Sequence, residues 1–121
     1  MSDFRKLKVW QSSHQLAVDV HRLTDTMRGV RNATLRDQLA RAAMSVPTNI
    51  VEGSADGSPR EFIRFVRYAI ASVSEVEGHA QMACDIGAIE QGDLAKLLPR
   101  IVEVRKMLYG LLKSLNKKAS E

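Results

Sequence analysis

Three arginines recur at helical spacing near the middle of the chain and could bind anions. Arg60, Arg64 and Arg67 stand at positions i, i+4 and i+7, which places them on one face of an α-helix. Guanidinium groups hold phosphate oxygens in bidentate fashion, so the row predicts a surface for RNA or DNA. The alternative is an ordinary solvated helix face. Three further basic residues are weaker candidates for phosphate binding: Arg36, Lys106 and Lys113.

An aromatic platform for base stacking is not expected beside this row. Tyr68 belongs to the same helix, but the apolar pattern places it nearer the edge of the core. Proteins that bind single strands by stacking need exposed aromatic rings next to the charges. We therefore expect any nucleic acid to be recognised through its backbone and shape rather than its bases.

A polar stripe interrupts the apolar pattern of the second helical stretch. It consists of Gln38, Arg41, Ser45, Asn49 and Glu52. The favoured interpretation is structural: these side chains can hydrogen-bond along the helix or across to the next one, at Ser72, Ser74 or Glu75, and so fix the register of the helices or of subunits. The alternative is a ligand or catalytic site with Glu52 as general base, which would require a nearby nucleophile or metal.

Metal and nucleophile chemistry find little support in the sequence. His14 and His21 are two helical turns, roughly 10 Å, apart, which is too far for both to bind one metal ion. His79 stands alone, and Cys84 is the single cysteine, so neither an intrachain disulfide nor a cysteine zinc cluster can form. We expect no metal, no cofactor and no enzymatic activity.

Composition indicates one globular domain. The 121 residues are 45% hydrophobic and 26% charged, and we expect a single domain over residues 1–121 with a disordered tail from about 117 to 121. The start of the chain lacks the apolar core of a signal peptide, and no apolar run approaches the ~20 residues of a membrane span. These features predict a cytoplasmic protein that is not bound to membranes. The net charge of +4 permits nucleic-acid binding without requiring it.

Four amphipathic stretches predict four helices. The first runs from about Arg5 to Met27, and the second begins with Thr34 as N-cap and ends within the segment 53–57. In the third, Ser58 caps a helix that starts with Pro59 and carries Glu61 at its third position, and Gly87 ends it. The fourth follows Gln91-Gly92-Asp93 and reaches about Lys117.

Kinks are expected at Pro47 and at Pro99, where a short turn before the main helix is the alternative. Short connections favour an antiparallel up-down-up-down four-helix bundle.

Surplus apolar residues on the first two helices predict contacts beyond the bundle core. The second helix is apolar on two separated strips, whereas a helix in a monomeric bundle needs one. Such patches usually mark protein contacts, although a wide core face is the alternative. The predicted oligomer interface contains Leu7, Trp10, Val18, Ala40, Met44 and Val51.

Several segments together resemble a known family. The start, Phe4-Arg5-Lys6-Leu7-Lys8-Val9-Trp10-Gln11, resembles F-x-x-L-x-V-W-Q, and the segment from Leu35 to Gly53 resembles L-x-x-Q-L-x-R-A…S-[IV]-P-x-N-I-x-E-G. The Ser-Pro-Arg-Glu-Phe segment at 58–62 and Ala69-x-x-Ser72 match the block that follows. These features are similar to the 23S rRNA-intervening sequence proteins, a family that includes the accessory variability determinant of diversity-generating retroelements. The chain departs from it in the loop 28–34 and at Ala71, where glycine is usual.

The resemblance implies a four-helix bundle that assembles into a homopentamer without enzymatic activity. For the retroelement branch it also implies a basic surface that binds nucleic acid and a partner reverse transcriptase. Our leading hypothesis is an accessory or scaffold protein that binds RNA or DNA through backbone charge. The alternative is an adaptor whose apolar strips on the first two helices bind another protein, with no nucleic acid involved.

Overall fold

The chain folds into an all-α structure of four long helices. The computed structural model describes residues 3–55 and 57–121, and these contain no β-strand. Two short 3₁₀ turns, Phe4–Lys6 and Val30–Asn32, precede the first and second helices. The helices are α1 (Lys8–Thr24), α2 (Ala33–Ala55), α3 (Pro59–Asp85) and α4 (Gln91–Ala119).

The helices form an antiparallel bundle. Each helix packs against the helices that precede and follow it in the chain, and α4 also packs against α1. Two contacts between α1 and α4 show the direction. The Asp19 carboxylate pairs with Arg100 at 2.9 Å, and the Ser12 hydroxyl donates to Glu103 at 3.3 Å. A residue earlier in α1 therefore contacts a residue later in α4, so the two helices run in opposite directions. The same reversal relates α2 and α3, because Gly53 lies against Phe62 and Phe65 while Ser45, earlier in α2, bonds Ser72, later in α3. The predicted fold class is confirmed.

The core is built from one apolar face of each helix. Its fully buried members include Leu16, Leu39, Ile50, Val73, Ile101 and Leu108. Burying a side chain of this size contributes about 1.5–3 kcal/mol, so these contacts hold the four helices together. Within the described ranges, no helix combines the length and the apolar character that crossing a lipid bilayer would demand.

The first helix is shorter than the sequence predicts at both ends. A 3₁₀ turn capped by the Asp3 side chain occupies Phe4–Lys6, and extended backbone at Leu7 separates it from α1. At the other end, the Thr24 hydroxyl bonds the carbonyl of His21, and Met27 is buried beyond the helix. Side-chain bonds to nearby carbonyls compete with the helical pattern at such positions.

The second helix begins before its predicted N-cap and ends at Ala55, within the predicted segment 53–57. It begins at Ala33, so Thr34 lies inside the helix and does not cap it. Gly53 is also inside the helix and buried, because α3 crosses it closely there. A Cβ at position 53 would lie 2.7 Å from the Phe62 ring and 2.9 Å from the Cβ of Phe65. Close packing, rather than helix termination, explains this glycine.

The third helix has the predicted ends. Ser58 is the N-cap and its hydroxyl accepts the N–H of Glu61 at 3.4 Å, while Pro59 occupies the first helical position. Gly87 follows the helix with φ of 81°, a conformation that glycine adopts without strain. The Glu61 carboxylate, however, pairs with Arg64 instead of reaching back to complete the capping box.

The fourth helix is longer than the sequence predicts. Glu90 and Asp93 form a reciprocal capping box at its start. The helix continues through Pro99, which excludes a separate short turn. Pro99 is exposed, so the carbonyl one turn before it can be hydrated. Residues 117–119 are helical, which corrects the disordered tail expected from about residue 117. Lysines in a last turn favour this extension because they interact well with the helix dipole.

Candidate nucleic-acid interface

Positive charge is concentrated at one end of the bundle. The antiparallel arrangement brings together the starts of α1 and α3 and the ends of α2 and α4. We call this half the basic end; along the sequence it comprises residues 3–16, 45–72 and 106–121, of which residue 56 lies outside the described ranges. Counted along the sequence, it holds ten of the 18 basic and five of the 14 acidic residues, a net charge of +5. The other half holds eight basic and nine acidic residues, a net charge of −1.

Arg64 occupies the centre of the predicted arginine row and is held in place by its neighbours. Its Nε donates to the Glu61 carboxylate at 3.0 Å and its Nη2 forms a second bond to the same oxygen. Its Nη1 lies 3.4 Å from the Tyr68 hydroxyl, and the guanidinium covers the Phe65 ring with 4.7 Å from Cζ to the ring centroid. The hydrogen bonds with Glu61 and then Tyr68 raise the pKa of this guanidinium.

Arg60 and Arg67 differ from Arg64 in their surroundings. Both are exposed, and neither forms an ion pair with any residue in the described ranges. Their charges can therefore meet an external anion without first breaking a contact of that kind. The three arginines share an exposed face, as their spacing predicts, but they are not equivalent as phosphate ligands.

Tyr68 is more exposed than the sequence pattern suggests. Its side chain is 48% exposed and lies beside Arg64, with the Phe65 ring packed edge-on at 6.0 Å. One exposed aromatic ring therefore adjoins the arginine row, whereas the sequence pattern places Tyr68 nearer the edge of the core. The signal was available in the sequence, because Tyr68 follows Arg64 by four residues and so shares its side of the helix.

The weaker basic candidates fall into two groups. Lys106 and Lys113 are exposed two turns apart on α4, and Tyr109 between them is 53% exposed. Arg36 is half-buried instead, and its guanidinium donates a hydrogen bond to the backbone carbonyl of Met27. This contact fastens the connection between α1 and α2, so Arg36 has an internal partner that Lys106 and Lys113 lack among the described residues.

The polar stripe of α2 divides between a hydrogen-bonded centre and exposed ends. The hydroxyls of Ser45 and Ser72 share a hydrogen bond of 2.7 Å, which links α2 to α3. The Asn49 amide donates to the carbonyl and the hydroxyl of Ser45 at 2.8 and 3.0 Å. Gln38, Arg41 and Glu52 are exposed to solvent. The paired centre is suited to fixing the register between two helices.

An apolar groove of about 540 Å³ runs between α1 and α2. Four of the six predicted interface residues line it: Trp10, Val18, Met44 and Val51. Met44 is 60% exposed, and the Trp10 ring stacks on His14 with 4.7 Å between centroids. The other two, Leu7 and Ala40, are half-buried but do not line the groove.

Metal ligands are dispersed in the part of the chain that the structure describes. No three histidine, cysteine or acidic side chains there come close enough together to hold a metal ion. His79 lies 4.0 Å from the Glu75 carboxylate, one helical turn away, and Cys84 packs partly buried against the core.

Comparisons with known proteins agree with this architecture. The family model for 23S rRNA-intervening sequence proteins matches residues 5–110. A crystal structure of a protein of unknown function, from the S23 ribosomal protein family of Bacteroides thetaiotaomicron VPI-5482, is also similar. It superposes with a TM-score of 0.78 at 21% identity, covering 87% of this chain and 98% of that chain. At this identity the likeness concerns the fold alone. No significant match was found among curated proteins.

Proposed function

Because this chain belongs to the 23S rRNA-intervening sequence protein family, we propose that it is a non-enzymatic, homo-oligomeric four-helix bundle that binds nucleic acid through backbone charge. The observation that carries the proposal is the segregation of charge along the bundle. The basic end has a net charge of +5, whereas the other half is close to neutral. Such a surface attracts a polyanion and gains affinity by releasing its counterions.

The contacts would come from exposed cations on two neighbouring helices. Arg60 and Arg67 on α3 extend into solvent without an ion pair to any described residue, and Lys106 and Lys113 are exposed on α4. Lys117 lies further along α4 towards the same end. Phosphate oxygens along a nucleic-acid backbone match such a distribution, because each guanidinium or ammonium group can neutralise one phosphate.

A pair of charge-matched variants tests the site. Arg60→Ala with Arg67→Ala removes two positive charges from the basic end, whereas Arg28→Ala with Arg31→Ala removes two from exposed positions at the other end. Both double variants have the same net charge. Fluorescence anisotropy of a labelled structured RNA and a DNA duplex, titrated at 50 and 200 mM salt, would give the affinity and its salt dependence.

We expect the first double variant alone to lose affinity and to flatten the salt dependence. Losing two phosphate contacts should reduce the slope of log K against log salt by roughly 1.4–1.8. Equal losses in the two double variants would show that net charge rather than this surface drives binding. Unaltered binding in the first double variant would refute the assignment of these arginines.

Self-association through the groove between α1 and α2 completes the proposal. The groove is apolar and open, and a second copy would cover Trp10, Met44 and Val51, which line it. The family resemblance favours a homopentamer, in which five basic ends would add avidity. Met44→Glu places a charge in the groove and should shift the molar mass towards the monomer in light scattering. An unchanged mass would exclude this groove as the interface.

The groove also supports the alternative function of a protein-interaction adaptor. In that case the apolar lining around Trp10 and Met44 would receive another protein, and the protein would bind no nucleic acid. Light scattering and anisotropy distinguish the two functions. A chain that is monomeric at every concentration and binds neither RNA nor DNA at 50 mM salt would favour the adaptor.

A further inference from the structure

We propose, building on the proposed nucleic-acid function, that the basic end selects single-stranded segments by stacking an unpaired base on a platform formed by Arg64 and Tyr68. The platform combines a flat guanidinium, fixed by its neighbours, with an exposed phenol ring. The ligand would be single-stranded RNA or DNA, or an unpaired loop, rather than a duplex.

The geometry of Arg64 suits stacking better than phosphate binding. Glu61 and Tyr68 both bond the guanidinium, and its Cζ lies over the Phe65 ring, 4.7 Å from the ring centroid. The Arg64 side chain remains 53% exposed, so part of the group is still open to solvent. A guanidinium held in this way loses little freedom when a base stacks on it.

The negative charge of Glu61 also favours base stacking over phosphate binding at Arg64. The Glu61 carboxylate partly cancels the charge of Arg64, and it would repel a phosphate placed on the same group. The uncharged face of a base meets no such repulsion. Stacking on arginine and aromatic planes is common where proteins bind unpaired bases.

The flanking arginines complete a nucleotide site. Arg60 and Arg67 are seven residues apart, which corresponds to about 10 Å along the helix axis, and Arg64 lies between them. Phosphates on either side of the stacked base would meet these two cations. In a duplex the base faces are covered by their neighbours, so the platform would contribute nothing to duplex binding.

Two conservative variants separate stacking from charge. Arg64→Lys keeps the positive charge but removes the planar group, and Tyr68→Leu removes the ring from an exposed position. The probes are a fluorescein-labelled 12-nucleotide oligouridylate and a 12-base-pair RNA duplex, measured by anisotropy at one salt concentration. We expect each variant to weaken binding of the single strand by about fivefold or more, and binding of the duplex by less than about twofold.

Tyr109→Leu is the matched control. Tyr109 is similarly exposed and lies between two lysines, but no arginine of the described ranges stacks beside it, so we expect unchanged binding of both probes. A direct readout is a single 2-aminopurine in the oligonucleotide, whose fluorescence should be quenched by the wild type and less by Tyr68→Leu.

The outcomes separate this inference from the proposed function. If the wild type binds both probes equally and the two platform variants change neither, single-strand selection is refuted while charge-driven binding stands. If the wild type binds neither probe, both proposals fail. Loss confined to the single strand in both variants, with the control unchanged, supports the platform.

Discussion

Gly53 offers the sharpest test of how α2 and α3 pack at the basic end. Gly53→Ala adds a Cβ that would lie 2.7 Å from Phe62 Cδ1 and 2.9 Å from Phe65 Cβ. The Phe62 ring can rotate, but the Cβ of Phe65 is attached directly to the backbone of α3. The two helices must therefore move apart, and overpacking of this kind costs about 1–3 kcal/mol.

The location of Gly53 inside a helix has the opposite effect on stability. Replacing glycine by alanine inside a helix stabilises it by about 0.5–1 kcal/mol through backbone entropy. The difference between the two effects predicts that Gly53→Ala lowers the free energy of unfolding by roughly 0–2.5 kcal/mol. Urea denaturation followed by circular dichroism, with all variants at the same protein concentration, would measure this change.

Two other glycines in helix interiors provide matched controls, for which the expected change in the free energy of unfolding has the opposite sign. Gly78 in α3 and Gly110 in α4 are exposed, and beyond the backbone of its own helix a Cβ at either position would meet no atom of the described residues within 4 Å. Gly78→Ala and Gly110→Ala should therefore each raise the free energy of unfolding by about 0.5–1 kcal/mol. A stabilised Gly53→Ala variant would refute the packing account, because helix propensity alone would then explain all three positions.

Three further predictions concern the helix ends and the polar contacts. Ser58→Ala should lower the free energy of unfolding in urea by about 1 kcal/mol, because the Glu61 N–H loses its acceptor; an unchanged midpoint would contradict the cap. Ser45→Ala should cost about 1–3 kcal/mol, and the double variant with Ser72→Ala should cost less than the sum of the single losses. Additive losses in that cycle would mean that the two hydroxyls act independently. Arg36→Ala should destabilise the protein by about 1–3 kcal/mol while leaving RNA affinity within twofold of the wild type in anisotropy. A large loss of affinity would instead identify Arg36 as a phosphate ligand.

Local signals explain which parts of the fold could be predicted from sequence. The start of α3 follows from Ser58 and Pro59, which act on neighbouring residues, and Gly87 marks its end for the same reason. The four apolar faces follow from helical periodicity. By contrast, the buried position of Gly53 depends on Phe62 and its neighbours on another helix, which no local pattern reveals.

The candidate site shows the same division. The exposure of Arg60 and Arg67 follows from their spacing opposite the core face. The pairing of Glu61 with Arg64 does not follow from the sequence, because Glu61 also fits a capping box, and only the structure shows which partner it takes. The internal hydrogen bond of Arg36 does not follow from the sequence, because its acceptor is a carbonyl in a loop nine residues away.

The unequal distribution of charge between the two halves makes the bundle an electric dipole along its length. An approaching polyanion would orient each molecule with the basic end first, before any specific contact forms. The same charge difference between the two ends affects which symmetry axis an oligomer can use. A rotation axis parallel to the helices repeats the polarity, so a ring would have one strongly basic rim and one nearly neutral rim. A two-fold axis that joins two basic ends would instead place two surfaces of net charge +5 next to each other. These surfaces would repel each other at low salt unless an anionic strand lies between them.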